Sequence, residues 1–243
     1  MQFFSISDRG KLRSNNEDCC LAETIGSYTL LILADGMGGH NGGEIASRKA
    51  IEEISGLIEE RLTQRMLPGQ IMLLISEALE RANGKIIELT QSDSSLTGMG
   101  TTCDVCLISK NTAYIAHIGD SRVYKISQNK LISRLTKDHS LVEYMLDAGT
   151  ITPEEAVHHP QKNIILRALG TSQKIDVDIS HEKISSGDVI LLCSDGLTNM
   201  LDEQTIAQTV SKEKEPDKIA GKLVQLANDA GGADNITVII AKC

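Results

Sequence analysis

The chain has no tryptophan, two phenylalanines and four tyrosines among its 243 residues. Any core it builds must therefore be aliphatic, and a hydrophobic content of 41% is enough for one. No apolar run approaches the roughly 20 residues that a membrane helix needs, and the opening residues do not read as a signal peptide. The expectation is a cytoplasmic protein with no membrane partner. Basic tracts are missing too, and the net charge is −9, which speaks against a nucleic-acid backbone as partner. Repeats, linkers and low-complexity stretches are absent, so residues 1–243 read as one domain. Neither CxxxxxR nor GxSxG occurs, which leaves no ready-made cysteine or serine nucleophile.

The six cysteines do not form a metal knuckle. Cys103 and Cys106 have the spacing, but they lie in GTTCDVCLIS, which alternates like a strand. Residues three apart on a strand point to opposite faces and cannot share one ion. Cys19 and Cys20 are adjacent and poor disulfide partners, so buried or half-buried free thiols are expected.

What the chain does have is a set of apolar runs that meet an aspartate. LLILADGMGGHNGGE, residues 30–44, carries a run into Asp35-Gly36 and a glycine-rich loop holding His40. TAYIAHIGD ends at Asp120 and DVILLCSDG reaches Asp195, whereas Asp234-Asn235 precedes the run ITVIIA. Such runs read as buried strands. In an antiparallel sheet the start of one strand lies beside the end of its neighbour. The four carboxylates are thus expected to gather on one sheet edge, where uncompensated they would repel. Clustered oxygen donors without lysine point to hard divalent cations, Mn or Mg.

In chain order, a strand is expected over residues 2–7 and another over 19–25, joined by the polar segment with Arg13, Glu17 and Asp18. Arg13 reads either as solvated surface or as a fork for a phosphate near Asp18 and Asp35. Amphipathic helices follow over 43–62 and 70–89, separated by Pro68-Gly69. Strands are expected over 101–108 and 112–118, then a hairpin around Gln128-Asn129. Sheet patterning lapses over residues 141–163, which read as an embedded flap with a helix start at Thr152-Pro153. His158 and His159 there read as surface residues, not ligands. Later come strands over 174–180 and before Asp195, two helices, and the final strand after Asp234-Asn235. Asp120 has a second reading, an ion pair with neighbouring Arg122.

SDRGKLRSNNED, ADGMGGHNGGEIAS, MGTT, AHIGDSRVY, LTKDHSLV, RALG, LLCSDGL and ADNITVII stand in the order found in metal-dependent protein phosphatases of type 2C. The chain resembles their single-domain bacterial branch along nearly its whole length. The resemblance implies an α+β fold, a four-layer α-β-β-α sandwich of two antiparallel sheets packed face to face with helices outside. It implies hydrolysis of phosphoserine and phosphothreonine in proteins by a water bridging two Mn or Mg ions, with a third, weaker metal in the bacterial branch.

Position by position, the resemblance gives Asp35 both metals and the Gly36 carbonyl the second. Asp195 and Asp234 match ligands of the first metal, while Asp18 and, through water, Glu17 match the second. Asp120, sharing Asp195, matches the third. Arg13 matches the phosphate-gripping arginine, and Asn235, Thr101 and Thr102 match supporting residues. Eukaryotic members carry Asp-Gly-His, whose histidine is a candidate acid; here Met37 holds that place and His40 lies three residues on. Leu166 replaces a threonine common before RALG. Partners implied are phosphoproteins and a Ser/Thr kinase of the same cell, with the chain a monomer. The alternatives on the same fold are a catalytically weak regulatory member and a phosphatase for a sigma-factor regulator.

Overall fold

The computed structural model describes residues 1–38 and 42–243. The first three strands are β1 (Gln2–Asp8), β2 (Asp18–Ile25) and β3 (Tyr28–Met37). Helices α1 (Gly42–Arg61) and α2 (Pro68–Ser92) follow, then a 3-10 turn at Ser94–Leu96. The middle of the chain forms β4 (Gly100–Thr101), β5 (Cys103–Ser109), β6 (Thr112–Ile118), β7 (Arg122–Ile126) and β8 (Ile132–Arg134). Short helices α3 (Leu141–Asp147) and α4 (Pro153–Val157) precede β9 (Asp178–Lys183) and β10 (Val189–Cys193). The chain closes with α5 (Asp195–Thr198), α6 (Glu203–Lys212), α7 (Pro216–Asp229) and β11 (Ile236–Lys242).

The strands form two antiparallel sheets. One has the order β1-β11-β10-β7-β8; the other runs β2-β3-β5-β6-β9, with β4 paired to the end of β3. Strand alternation splits the apolar residues into layers. Leu31, Leu33, Cys106 and Ile115 of one sheet meet Ile190, Leu192, Ile239 and Ala241 of the other. On the outer face of the second sheet, Leu30, Ile32, Cys103 and Val105 pack on Ile54, Ile58, Ile75 and Leu79 from α1 and α2. On the opposite outside, Leu191, Val238 and Ile240 pack on Ile206, Ile219 and Leu223 from α6 and α7. The result is the expected four-layer α-β-β-α sandwich with an aliphatic core. Cys103 and Cys106 fall in different layers, as strand alternation requires, and all six cysteines are free thiols.

Two boundaries differ from the sequence reading. Pro68 does not merely separate two helices; it sits in the first turn of α2, where its missing N–H costs nothing. The strand expected over residues 174–180 lies at Asp178–Lys183, because the ladder with β6 begins at the pair His117–Asp178. The apolar alternation that suggested an earlier start, Ile175 and Val177, comes from packing on the core under α1 and α2.

The segment expected as a flap is pinched at its base. Leu141 N–H donates to the Ile164 carbonyl (2.9 Å) and Leu166 N–H to the His139 carbonyl (2.7 Å). Between these bonds lie α3, capped by Ser140, and α4, whose Thr152 and Glu155 cap each other's backbone. His158 is exposed and His159 half-buried, in keeping with surface residues.

One ion pair is built into the inner layer. Asp104 and His117 face each other across the β5–β6 ladder and are almost fully buried. His117 Nδ1 lies 2.6 Å from Asp104 Oδ1, and its Nε2 lies 2.9 Å from the Lys137 carbonyl oxygen. Both nitrogens face oxygens that can accept, which favours a doubly protonated ring. Burial opposes that charge, but the Asp104 carboxylate, its hydrogen bond and the Lys137 carbonyl outweigh it and raise the His117 pKa. Burial also pushes the Asp104 carboxyl up, against the pull of His117. A raised native pKa means that the folded chain holds a proton the unfolded chain gives up. The stabilisation from His117 is full below pH of about 6.5, the unfolded value, and fades as pH rises through the native one. In urea unfolding, the stability gap between wild type and His117→Gln should therefore narrow from pH 6 toward pH 9; a constant gap would mean a neutral His117.

Candidate active site

Five aspartates meet at one end of the sandwich. The β2–β3 register sets Asp18 directly opposite Asp35. Asp195 opens α5 just past the end of β10, and Asp234 stands two residues before β11, the neighbour of β10. Asp120 lies in the crossing from β6, in one sheet, to β7 in the other. The carboxylates thus come from both sheets, at one end of the whole sandwich. The single sheet edge expected from the sequence is corrected here: the sheets are stacked face to face, so strand ends from both converge.

The cluster is electrostatically costly. Burial, reinforced by Asp195 and Asp234, pushes the Asp18 carboxyl up to about 7 despite two hydroxyl donors. Asp35 rises well above the carboxylate range through burial and the charges of Asp18, Asp195, Asp120 and Asp234. Burial and Asp234 raise Asp195 to about 6; burial, Asp195 and Asp138 raise Asp120 to about 8. Each carboxylate is penalised by the others, the signature of a site shaped around positive charge.

Among the described residues no three such groups close on one point as a finished metal cage. Individual oxygens are taken by neighbours instead. Arg13 Nη2 donates to Asp234 Oδ2 at 2.7 Å, with the guanidinium side chain 47% exposed. Asn199 Nδ2 donates to Asp195 Oδ2 at 2.9 Å, four residues on and at the end of α5. Among the described residues the donor set, a cluster of carboxylates, fits hard divalent ions.

The backbone around Asp35 is fixed on both sides. Asp35 N–H donates to Thr102 Oγ1 (3.0 Å), while Thr102 N–H and Thr101 Oγ1 both donate to the Asp35 carbonyl (2.9 Å each). Gly36 admits no side chain, because a Cβ there would lie 2.1 Å from the Gly43 carbonyl oxygen. Asn235 accepts from Glu17 N–H (2.8 Å) and donates to the Arg9 and Asn15 carbonyls (2.9 Å each), fastening the loop that carries Arg13. Glu17 is buried, and burial raises its pKa although Arg13 draws it down. His40 lies outside the described residues.

The pairing of Asp120 with Arg122 does not occur. Arg122 is committed to Asp138, through Nε (2.9 Å) and Nη2 (2.6 Å), and to the Tyr124 hydroxyl (3.3 Å). Asp120 instead borders a cavity of about 330 Å³ with Asp195, Asn199 and the flap residues Val142, Leu146 and Val157.

Sequence reasoning passed over the residues that grip Asp18. Ser194 Oγ (2.8 Å) and Thr237 Oγ1 (2.6 Å) both donate to its Oδ2, and Thr237 is in turn bonded to Ser7 Oγ at 2.7 Å. The one available signal was position: Ser194 directly precedes Asp195, and Thr237 follows Asn235 by two. Fully buried hydroxyls next to suspected ligands need a polar partner.

The sequence profile of Protein phosphatase 2C matches residues 11–223, and the chain belongs to that family. It is 42% identical over 246 residues to Protein phosphatase PhpP of Streptococcus pneumoniae, covering 99% of this chain and 96% of that protein. The solved serine/threonine phosphatase of S. agalactiae is 39% identical, with a TM-score of 0.92 over 98% of both chains. A catalytic domain of serine threonine protein phosphatase PstP, solved in complex with 2 manganese ions, is 34% identical, with a TM-score of 0.86. It is matched over 99% of this chain and 97% of that one.

Proposed function

We infer that this chain is a metal-dependent serine/threonine protein phosphatase whose site is the aspartate cluster at the end of the sandwich. The observation that carries the reading is the convergence of Asp18, Asp35, Asp120 and Asp195, held at raised pKa values by burial and by neighbouring carboxylates, with Asp234 beside them. Family membership and relatives named as serine/threonine phosphatases support it.

In this reading Asp35, Asp195 and Asp234 would hold one Mn or Mg ion, and Asp35, Asp18, the Gly36 carbonyl and, through water, Glu17 would hold a second. Asp120 with Asp195 holds a third, looser ion. Such ions supply positive charge against the phosphate and acidify a water for in-line attack. The protein's own part is placement. Ser194 and Thr237 keep one Asp18 oxygen turned inward, and Thr101 and Thr102 lock the Asp35 peptide. Arg13 releases Asp234 and offers its planar fork to the non-bridging phosphate oxygens. His40, three residues after Met37 in the sequence, is the proposed proton donor to the leaving serine or threonine oxygen. Residues 141–163 form an embedded flap in one domain and read the surface of a phosphoprotein. The exposed Tyr144 and Val157 suit that role. A Ser/Thr kinase of the same cell is the proposed counterpart of a monomeric, cytoplasmic enzyme; six free thiols suit that reducing compartment.

The deciding experiment is phosphate release from a phosphothreonine peptide, with and without Mn, beside a phosphodiester. Release from the peptide only, and only with metal, is expected. Activity that survives chelation or favours the diester would overturn the reading.

Asp35→Asn should lower kcat about a hundredfold or more, since misplacing catalytic groups by an ångström costs that much. Calorimetry should show weakened Mn binding with the fold intact by circular dichroism. Wild-type binding and turnover would remove Asp35 from the site.

Arg13→Ala should act on substrate instead. Losing a charge-assisted hydrogen bond should raise KM about tenfold, while Mn binding holds or tightens, because Asp234 loses a competing cation. A collapse of Mn binding would make Arg13 structural.

Shortening the flap between Leu141 and Lys162 should change discrimination among phosphopeptides far more than hydrolysis of p-nitrophenyl phosphate. Equal loss on both substrates would show that the segment supports the core.

A further inference from the structure

His139 belongs to the fragment LTKDHSLV, which the proposed chemistry leaves unused. Only 9% exposed, it stands where three parts of the molecule meet. Its backbone N–H donates to the Gly119 carbonyl at 2.7 Å, and its ring Nδ1 accepts from Gly119 N–H at 3.1 Å. Two bonds from one residue thus clamp both polar groups of the residue immediately before Asp120. On the far side, the His139 carbonyl receives Leu166 N–H at 2.7 Å, one of the bonds that close the base of the flap.

The glycine held in this clamp has no freedom of its own. Gly119 has φ +119°, and a Cβ there would lie 2.5 Å from Thr102 Cβ. Thr102 also locks the Asp35 peptide and bonds the Ser121 hydroxyl at 2.8 Å. The turn before Asp120 is therefore held between Thr102, which serves Asp35, and His139, which serves the flap. The ring itself is held by its surroundings. It lies 4.7 Å, centroid to centroid, from the His117 ring, with Asp178 Oδ2 3.3 Å and Arg167 Nη1 3.4 Å from its Nε2. The Gly119 N–H requires an unprotonated Nδ1, which leaves the ring proton on Nε2 facing Asp178.

We propose that His139 is a positioning residue for Asp120, clamping the Gly119 peptide so that the set of the Asp120 carboxylate follows the base of the flap. The proposal rests on the reading of Asp120 as a metal-holding carboxylate, and it adds a route by which substrate docking on the flap reaches the metal site. Asp120 has no fixed anchor in Arg122, which is taken by Asp138, so the turn preceding it carries the constraint.

The test compares wild type, His139→Ala, His139→Leu, His139→Asn and Asp120→Ala. Mn binding is followed by calorimetry without substrate, together with the Mn dependence of kcat and the KM for a phosphothreonine peptide. His139→Ala should weaken the loosest Mn step about tenfold, the scale of one hydrogen bond's net contribution. It should lower kcat at limiting Mn, leave KM nearly unchanged and speed hydrogen exchange at the Gly119 amide. His139→Leu fills the space without an acceptor; it carries the same expectation and decides the matter if the alanine variant does not fold. Asparagine can present Oδ1 where Nδ1 stood, so His139→Asn should recover most of the Mn affinity. Wild-type Mn binding in His139→Ala or His139→Leu, or no recovery in His139→Asn at an equal melting temperature, would overturn the proposal. If Asp120→Ala loses its loosest Mn while His139→Leu keeps it, the clamp is wrong and the Asp120 reading stands. If Asp120→Ala also binds Mn as wild type does, both fall.

Discussion

Like charges crowded at one end of the sandwich are the constraint from which the rest follows. Carboxylates at ordinary loop positions would turn toward water and ignore each other. Here the β2–β3 register fixes Asp18 against Asp35, and the β10–β11 pairing brings Asp195 and Asp234 together. Rigid ladders leave the side chains little room to separate, so burial and then mutual repulsion raise the carboxyls of Asp18, Asp35 and Asp195. The frame holds the cluster because almost everything beneath it is aliphatic, interdigitated and dry. Arg13 offsets part of this charge at Asp234, and the rest of the cluster suits added cations.

The supporting groups share a pattern. Thr101, Thr102, Ser194, Thr237 and Asn235 are all buried, small and polar, and each bonds to a segment that carries one of the clustered carboxylates. Ser194 and Thr237 bond the Asp18 carboxylate and the other three bond backbone groups, so none of them neutralises the cluster. Arg13 is the contrasting element, a cation resting on Asp234 yet substantially exposed. An exposed ion pair of this kind is worth little, about 0–1 kcal/mol, which leaves Arg13 free to exchange partners.

Apolar runs ending in aspartate made the strands and the four main carboxylates legible, because burial on both faces removes polar residues from the run. Those runs did not reveal which sheet each strand joins. A gathering on one sheet edge was therefore expected where strand ends of two stacked sheets meet. The later start of β9 was hidden because Ile175 and Val177 alternate for packing, not for pairing. Ser194, Thr237, His117 and His139 were illegible for another reason: their roles depend on partners 13 to 230 positions away. His158 and His159, adjacent and conspicuous, do no such work.

The flap enters and leaves the frame through two adjacent backbone bonds, Leu141 to Ile164 and Leu166 to His139. Closing a loop depends only weakly on its length; doubling it costs about 0.6 kcal/mol. The intervening segment can therefore be lengthened, trimmed or exchanged while the sandwich keeps its stability and the aspartates keep their places. On the proposed role of the insert, altering this one segment retargets the hydrolytic frame. The freedom stops at His139, just before the insert, where the base of the insert is tied through Leu166 to the turn before Asp120.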